Sequence, residues 1–307
     1  MTNTSNTMLA VEPPARSKPP TGRTASRPPG TAFGSPRDFL GNKFVYAVVS
    51  PRARGLSLGV NLNPDQECNF DCIYCEVDRS AHCRAAQLDV DAMASELGRM
   101  LTLVQSDGLG ALDGFQGLPT ELLQLRQVNL SGDGEPTLCP VFLDVVHAVM
   151  HVRARSGLPF FKIVLITNAT GLDRPQVAEG IRCLTSRDEV WAKLDVGTQV
   201  WMERINRPTV QLDKVLANIL TLARQRPVVI QSLFPLVNGQ EPSDPEIREY
   251  AQRLKELKDA GANIPLVQIY SATRPTPHSE CGHLPLRSLA RIAQIVRDTT
   301  GLRAEVF

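Results

Sequence analysis

The chain has 307 residues, 42% of them apolar, and its 33 basic and 32 acidic side chains leave a net charge of +1. That balance supplies no global field to recruit nucleic acid or an anionic membrane, which counts against an RNA substrate unless a local patch serves. No run of 18 apolar residues and no apolar N-terminal signal core are present, so a cytoplasmic protein without a membrane partner is expected.

Seven cysteines without an even framework fit a reducing compartment better than a disulfide scaffold. Residues 1–36 are rich in Pro, Ser, Thr and Arg and poor in large apolar side chains. Such a stretch buries too little surface to offset its ordering entropy, so a disordered tail is expected there. Its basic residues Arg16, Lys18, Arg23 and Arg27 are read either as solvated or as an RNA contact. Residues 37–307 read as one α/β domain, with a core at 56–271 and a C-terminal extension at 272–307.

Two β-prone runs, 44–49 and 56–62, flank Ser50-Pro51-Arg52-Ala53-Arg54-Gly55 and predict a strand–turn–strand unit. The second run leads into Cys68-Asn69-Phe70-Asp71-Cys72-Ile73-Tyr74-Cys75. A tight loop with C-x3-C-x2-C spacing can turn three sulfurs toward one point. Cys68, Cys72 and Cys75 would hold three irons of a [4Fe–4S] cube and leave the fourth iron without a protein ligand. Zinc is the other reading, because Cys83 or His82 would complete the four ligands that a structural zinc site needs.

A helix is predicted next, started by Asp89 or Asp91, with Val90, Met93, Leu97, Met100, Leu101 and Val104 along one face. Residues 105–120 carry four glycines and read as a loop. Strands are then predicted at 127–131, 161–167, 189–195, 227–233 and 264–270. They alternate with helices at 141–152, 174–184 and 212–220, from Asp244-Pro245 to Gly261, and at 286–296 closed by Gly301. With the strand before the cysteine loop this makes six β/α units. Such alternation implies a parallel sheet buried on both faces, and six units are too few for a closed eightfold barrel.

Parallel α/β sheets work at the C-terminal ends of their strands. There the chain places Ser131-Gly132-Asp133-Gly134-Glu135-Pro136-Thr137, whose glycines allow close backbone approach to a ligand. Thr167 and Asn168 suit hydrogen bonds to a ribose or carboxylate, and a helix cap explains them as well. Lys193 and Asp195, two apart on a strand, share a face and read as an ion pair or as ligand contacts. Arg204 and Arg207 can clamp a carboxylate bidentately, or lie solvated. Cys281, between His278 and His283, is a candidate for hydrogen-atom donation, or part of a loop with exposed histidines.

The cysteine motif resembles that of the radical S-adenosylmethionine (SAM) enzymes, and the resemblance spans residues 56–271. It implies a partial (β/α)6 TIM-like barrel whose free iron chelates the amino and carboxylate groups of SAM. The reduced cluster would then split the sulfonium into methionine and a 5′-deoxyadenosyl radical. Tyr74 stands where the family has an aromatic residue. The 131–137 segment resembles the family's Gly-Gly-Glu-Pro motif with Asp133 in place of the first glycine, which implies Gly134 and Glu135 at the SAM amino group. The resemblance also implies Asp195 at the ribose, and the arginine clamp would then hold the methionine end of SAM or a substrate anion.

Leu56-Ser57-Leu58-Gly59-Val60-Asn61, the 132–138 segment and Arg204-Ile205-Asn206-Arg207-Pro208 are similar to the branch grouped with tRNA wyosine-base synthases. The expectation is therefore an enzyme that takes a hydrogen atom from a tRNA base, a protein partner or a small metabolite. Its electrons would come from a flavodoxin- or ferredoxin-like donor. The alternative is a non-catalytic Fe–S or zinc-binding module.

Overall fold

A computed structural model of the chain describes Met1 and residues 39–77, 87–274 and 276–307. The tail expected at 1–36 lies, Met1 aside, outside the described residues, and so do His82 and Cys83.

The elements run β1 (Val45–Ser50), β2 (Gly55–Asn61), α1 (Val90–Gln105), α2 (Thr120–Leu123), β3 (Leu125–Ser131), α3 (Phe142–Arg155), β4 (Lys162–Thr167), α4 (Pro175–Cys183) and β5 (Glu189–Lys193). They continue with α5 (Gln199–Ile205), α6 (Leu212–Ala223), β6 (Val228–Leu233), β7 (Pro235–Val237), α7 (Asp244–Asp259), β8 (Val267–Tyr270), β9 (Cys281–His283), α8 (Leu286–Thr300) and β10 (Ala304–Val306). One eight-stranded sheet has the order β1-β2-β3-β4-β5-β6-β8-β10, and β7 pairs with β9 in a separate ribbon. β2, β3, β4, β5, β6 and β8 are the strands of the six expected units, all parallel. β1 adds an antiparallel edge and β10 a parallel one. This is a curled, partial TIM-like barrel. The short β7, β9 and β10 and the seven-residue α5 lack the length for a periodic signal, which is why sequence reading passed them over.

Local chemistry explains the boundaries. Asp89 caps α1 by accepting from the Ala92 amide at 3.0 Å, and Met93, Leu97, Met100 and Leu101 form its buried stripe. Gly301 ends α8 in a left-handed conformation at φ +66°. On α7 the cap is Ser243, one residue earlier than expected, so that Asp244 and Pro245 fall in the first turn. A proline there loses an N–H that has no intrahelical partner anyway.

The strands separate two environments by alternation. Leu58, Val128, Leu165, Ala192, Ile230 and Ile269 join the main core with the helices. Each fully buried aliphatic side chain there contributes about 1.5–3 kcal/mol. The alternate residues line the inner face, where Val164, Trp191 and Val229 make a small cluster of their own. Buried carboxamides share that face: Gln127 donates to Asn129 at 2.6 Å and Gln231 to Gln268 at 3.3 Å.

Side chains bridge the two edges of the curl. On the β1–β2 turn, the Arg52 guanidinium lies 4.2 Å from the centre of the Tyr270 ring, and Arg54 pairs with Glu305 of β10 at 3.5 Å. Among the described residues no helix is long and apolar enough to cross a membrane.

Candidate active site

The cysteine loop leaves β2 and is fixed from below by the end of α5. Asp71 N–H donates to the Asn206 carbonyl and Ile73 N–H to the Ile205 carbonyl, both at 2.9 Å, while Thr209 N–H donates to the Asn69 carbonyl at 3.0 Å. The loop after β3 presses on it from the side. Glu135 N–H donates to the Glu67 carbonyl at 2.9 Å, and a Cβ added to Gly134 would stand 1.9 Å from that oxygen. Only glycine permits this approach.

Cys68, Cys72 and Cys75 are half-buried thiols on the wall of one cavity of about 190 Å³. Tyr74, Gly134, Glu135, Thr167, Asn168 and Lys193 share that wall. The structure thus brings together most of the residues singled out in the sequence. It does not bring Arg204 or Cys281 to this cavity. Arg204 is exposed on α5 and stacks 4.8 Å from the Trp201 ring centre. Cys281 sits on the β7–β9 ribbon, opposite Val237.

Asp195 anchors the side of the site behind Tyr74. Its carboxylate accepts from the Tyr74 hydroxyl, from Asn206 Nδ2 at 2.9 Å and from the Leu233 N–H at 2.8 Å. Lys193 Nζ stands 3.8 Å away and also lies 4.7 Å from the Tyr74 ring centre. Burial works against the Lys193 charge, but Asp195, Tyr270 and Cys72 outweigh it and hold the ammonium above its ordinary value. Burial, followed by the Asp195 charge, raises the Tyr74 phenol well above its own, so it remains a donor. Asn206 Nδ2 donates further to the Tyr74 hydroxyl at 2.9 Å and approaches Cys72 Sγ at 3.4 Å.

Glu135 performs the matching task on the other side. Its carboxylate accepts from Thr137 N–H at 3.1 Å, Thr137 Oγ1 at 2.6 Å, Thr167 Oγ1 at 2.5 Å and Asn168 N–H at 2.7 Å. Burial raises its pKa, and these donors pull it back. Asn168 in turn donates to Asn69 Oδ1 at 2.8 Å, and Asn69 donates to Thr170 Oγ1 at 2.8 Å. Thr167 and Asn168 are therefore not a helix cap, since α4 begins at Pro175 after Arg174. They stitch the ends of β3 and β4 to the cysteine loop.

The donor set fits the cluster that its spacing implies. Three thiols line one cavity, and a cube takes each sulfur on a separate iron. The convergence of three sulfurs on one point expected from the spacing is not seen: no three His, Cys, Asp or Glu side chains among the described residues come together to hold a single metal ion. Burial pushes the Cys72 thiol up to about 12, against the pull of Lys193 and Asn206. Such a thiol stays protonated until coordination displaces its proton.

Asn206, Asn69 and Lys193 carry more of this site than sequence reading assigned to them. In the segment 204–208 the arginines carry the sequence signal, whereas the neutral amide between them is the group that turns inward.

No protein-family model matches the chain. A UPF0026 protein of Synechocystis sp. is 28% identical over 184 residues, 59% of this chain and 60% of that protein. A UPF0026 protein of Methanocaldococcus jannaschii is 26% identical over 220 residues, 69% of this chain and 60% of that protein. The chain thus spans about 60% of the length of these curated relatives. Among solved structures, a radical SAM methyltransferase of Sphaerobacter thermophilus aligns over 86% of this chain and 68% of its own, with a TM-score of 0.59 at 16% identity. SuiB of Streptococcus suis bound to S-adenosylmethionine aligns over 83% and 51%, with a TM-score of 0.57 at 16% identity. TYW1 with a lysine–pyruvate adduct bound aligns over 81% and 74%, with a TM-score of 0.52 at 16% identity. The chain has the radical SAM fold.

Proposed function

We propose that this protein is a radical SAM enzyme that abstracts a hydrogen atom from a substrate held inside the half-barrel. The observation that carries this reading is the position of Cys68, Cys72 and Cys75. They lie on one wall of a cavity at the C-terminal ends of β3, β4 and β5, where parallel α/β folds gather their ligands. When bound, a [4Fe–4S] cluster and SAM supply the reductive cleavage of a sulfonium and the carbon radical that follows from it.

The chain's own residues supply position and charge. The three thiols hold the cluster, and the Gly134 backbone keeps the β3 loop flat against the cysteine loop. Asp195, Tyr74 and Asn206 fix the loop's inner turn from the β5 side, and Glu135 fixes Thr167 and Asn168 from the β4 side. Lys193 places a positive charge beside the thiols, which favours an added electron there. A flavodoxin- or ferredoxin-like protein is the donor class that suits such a centre. The substrate is a small metabolite, a protein side chain or a tRNA base. The near-neutral net charge of +1 weighs against the last.

Anaerobic reconstitution tests this reading. The protein should turn brown, bind about four irons per chain and release 5′-deoxyadenosine from SAM on addition of dithionite. Full activity in a triple Cys68→Ala, Cys72→Ala, Cys75→Ala variant would end it.

A further inference from the structure

Beside the cysteine-lined cavity lies a second one of about 400 Å³ on the inner face of the half-barrel. The two share Ser131 and Ile166 as a common wall. Four aromatic residues, Tyr46, Trp191, Tyr270 and Phe307, line the second cavity, with Asn129 as a carboxamide and no Asp or Glu side chain among its described walls.

Its cations are not alike. Arg274 pairs with Glu76 at 2.6 Å, and Arg54, on the same turn as Arg52, pairs with Glu305. Among the described residues Arg52 has no such carboxylate. Its guanidinium stacks on the Tyr270 ring at 4.2 Å, and its Nε is buried without a hydrogen-bond partner among the described residues. A half-buried guanidinium held over a ring, with its buried Nε unspent, is an arrangement that can receive a carboxylate or phosphate. Leaving the buried Nε unpaired carries a desolvation cost that a bound anion would recover.

We propose that this second cavity is the substrate pocket, and that Arg52 binds the carboxylate or phosphate of a small, planar substrate. The aromatic rings take its flat body, since they offer apolar area with little rotamer entropy to lose. The anion at Arg52 then anchors one end, and the other end points toward the shared wall at Ser131 and Ile166. This assignment rests on the radical SAM reading for what happens to the substrate, but not for whether it binds.

The test is isothermal titration calorimetry under anaerobic conditions on the reconstituted full chain. The probes are benzoate and phenyl phosphate, with benzamide and phenol as their uncharged counterparts. Benzoate, phenyl phosphate or both should bind saturably while the neutral probes do not, and the preferred anion identifies the headgroup. Arg52→Gln should weaken that binding at least tenfold. Arg52→Lys should recover only part of the loss, and Arg54→Gln should change nothing. Absence of saturable binding by either anion, equal binding of benzamide and benzoate, or an Arg52→Gln variant that binds like the parent would each overturn the proposal. Binding needs no SAM cleavage, so failure here leaves the radical reading standing. Conversely, a protein that binds the anion yet releases no 5′-deoxyadenosine would sink that reading and spare the pocket.

Discussion

The Asn206 amide donates to the Asp195 carboxylate at 2.9 Å, joining the C-terminal end of α5 to the loop that follows β5. The same nitrogen donates to the Tyr74 hydroxyl, so one neutral side chain connects a buried charge to the cysteine loop. Replacing Asn206 by Ala leaves the Asp195 and Tyr74 oxygens short of a donor in a buried setting. The expected cost is about 1–3 kcal/mol of stability, with fewer irons retained per chain after reconstitution. Chemical denaturation and iron analysis on the same preparation measure both.

The three thiols and the remaining cysteines should behave differently. Single Cys68→Ala, Cys72→Ala or Cys75→Ala variants are expected to lose the visible absorption of the cluster and at least 100-fold in 5′-deoxyadenosine release, roughly the scale of losing an essential group. Cys281→Ala, on the β7–β9 ribbon away from the cavity wall, should release 5′-deoxyadenosine at the parent's rate. Single-turnover assays with dithionite separate the two groups.

Gly134 offers a steric test. A methyl group there would meet the Glu67 carbonyl, a backbone atom with little freedom to retreat. Gly134→Ala should cost about 3 kcal/mol, the upper end for overpacking, and should loosen the cysteine loop. Chymotrypsin cleavage after Phe70 or Tyr74 of the variant, compared with the parent, reads out the loosening.

Asp188 is the clearest pH probe. It is fully buried and takes two hydrogen bonds from Arg153, at 2.6 and 3.2 Å, and one from the Ile163 amide at 2.8 Å, tying α3 to the starts of β4 and β5. Burial alone would raise its pKa, but Arg153 and the Ile163 and Thr185 donors outweigh burial and hold it below the ordinary carboxylate value. A depressed folded-state pKa gives stability that is complete above the unfolded value of about 3.9 and lost as pH falls through the folded one. Asp188→Asn should therefore be less stable by about 3–5 kcal/mol at pH 7, because it leaves the Arg153 charge uncompensated. The gap should narrow below pH 4. Urea denaturation of both proteins between pH 3 and pH 7 checks the sign.

Much of this architecture is legible in the sequence because it rests on repeated local signals. The buried stripe of α1, the glycine that closes α8 and the six β/α units each follow from residue type and spacing. The three cysteines and the 131–137 loop stand out in the sequence by their spacing, and the structure places them on one cavity wall. What sequence reading did not anticipate depends on pairs far apart in the chain. Asn206 meets Cys72 across 134 positions, and Asn168 meets Asn69 across 99. Arg204 carried the charge that drew attention, yet it points to solvent, because Ile205 and Asn206 occupy the inward side of that helix end. Arg52 had no signal either, since its significance lies in the curl that brings the β1–β2 turn to Tyr270.

The backbone bonds between the cysteine loop and α5 have a bearing on how the protein matures. Asp71 and Ile73 are already tethered through their amides to the carbonyls of Asn206 and Ile205, using no sulfur at all. In a zinc finger the inorganic ion must arrive before the chain can fold. These backbone bonds involve no sulfur, so the proposed centre is expected to enter as a late insertion into a folded polypeptide. Protein recovered from aerated cells should consequently emerge colourless but intact, ready to be charged afterwards in the absence of oxygen.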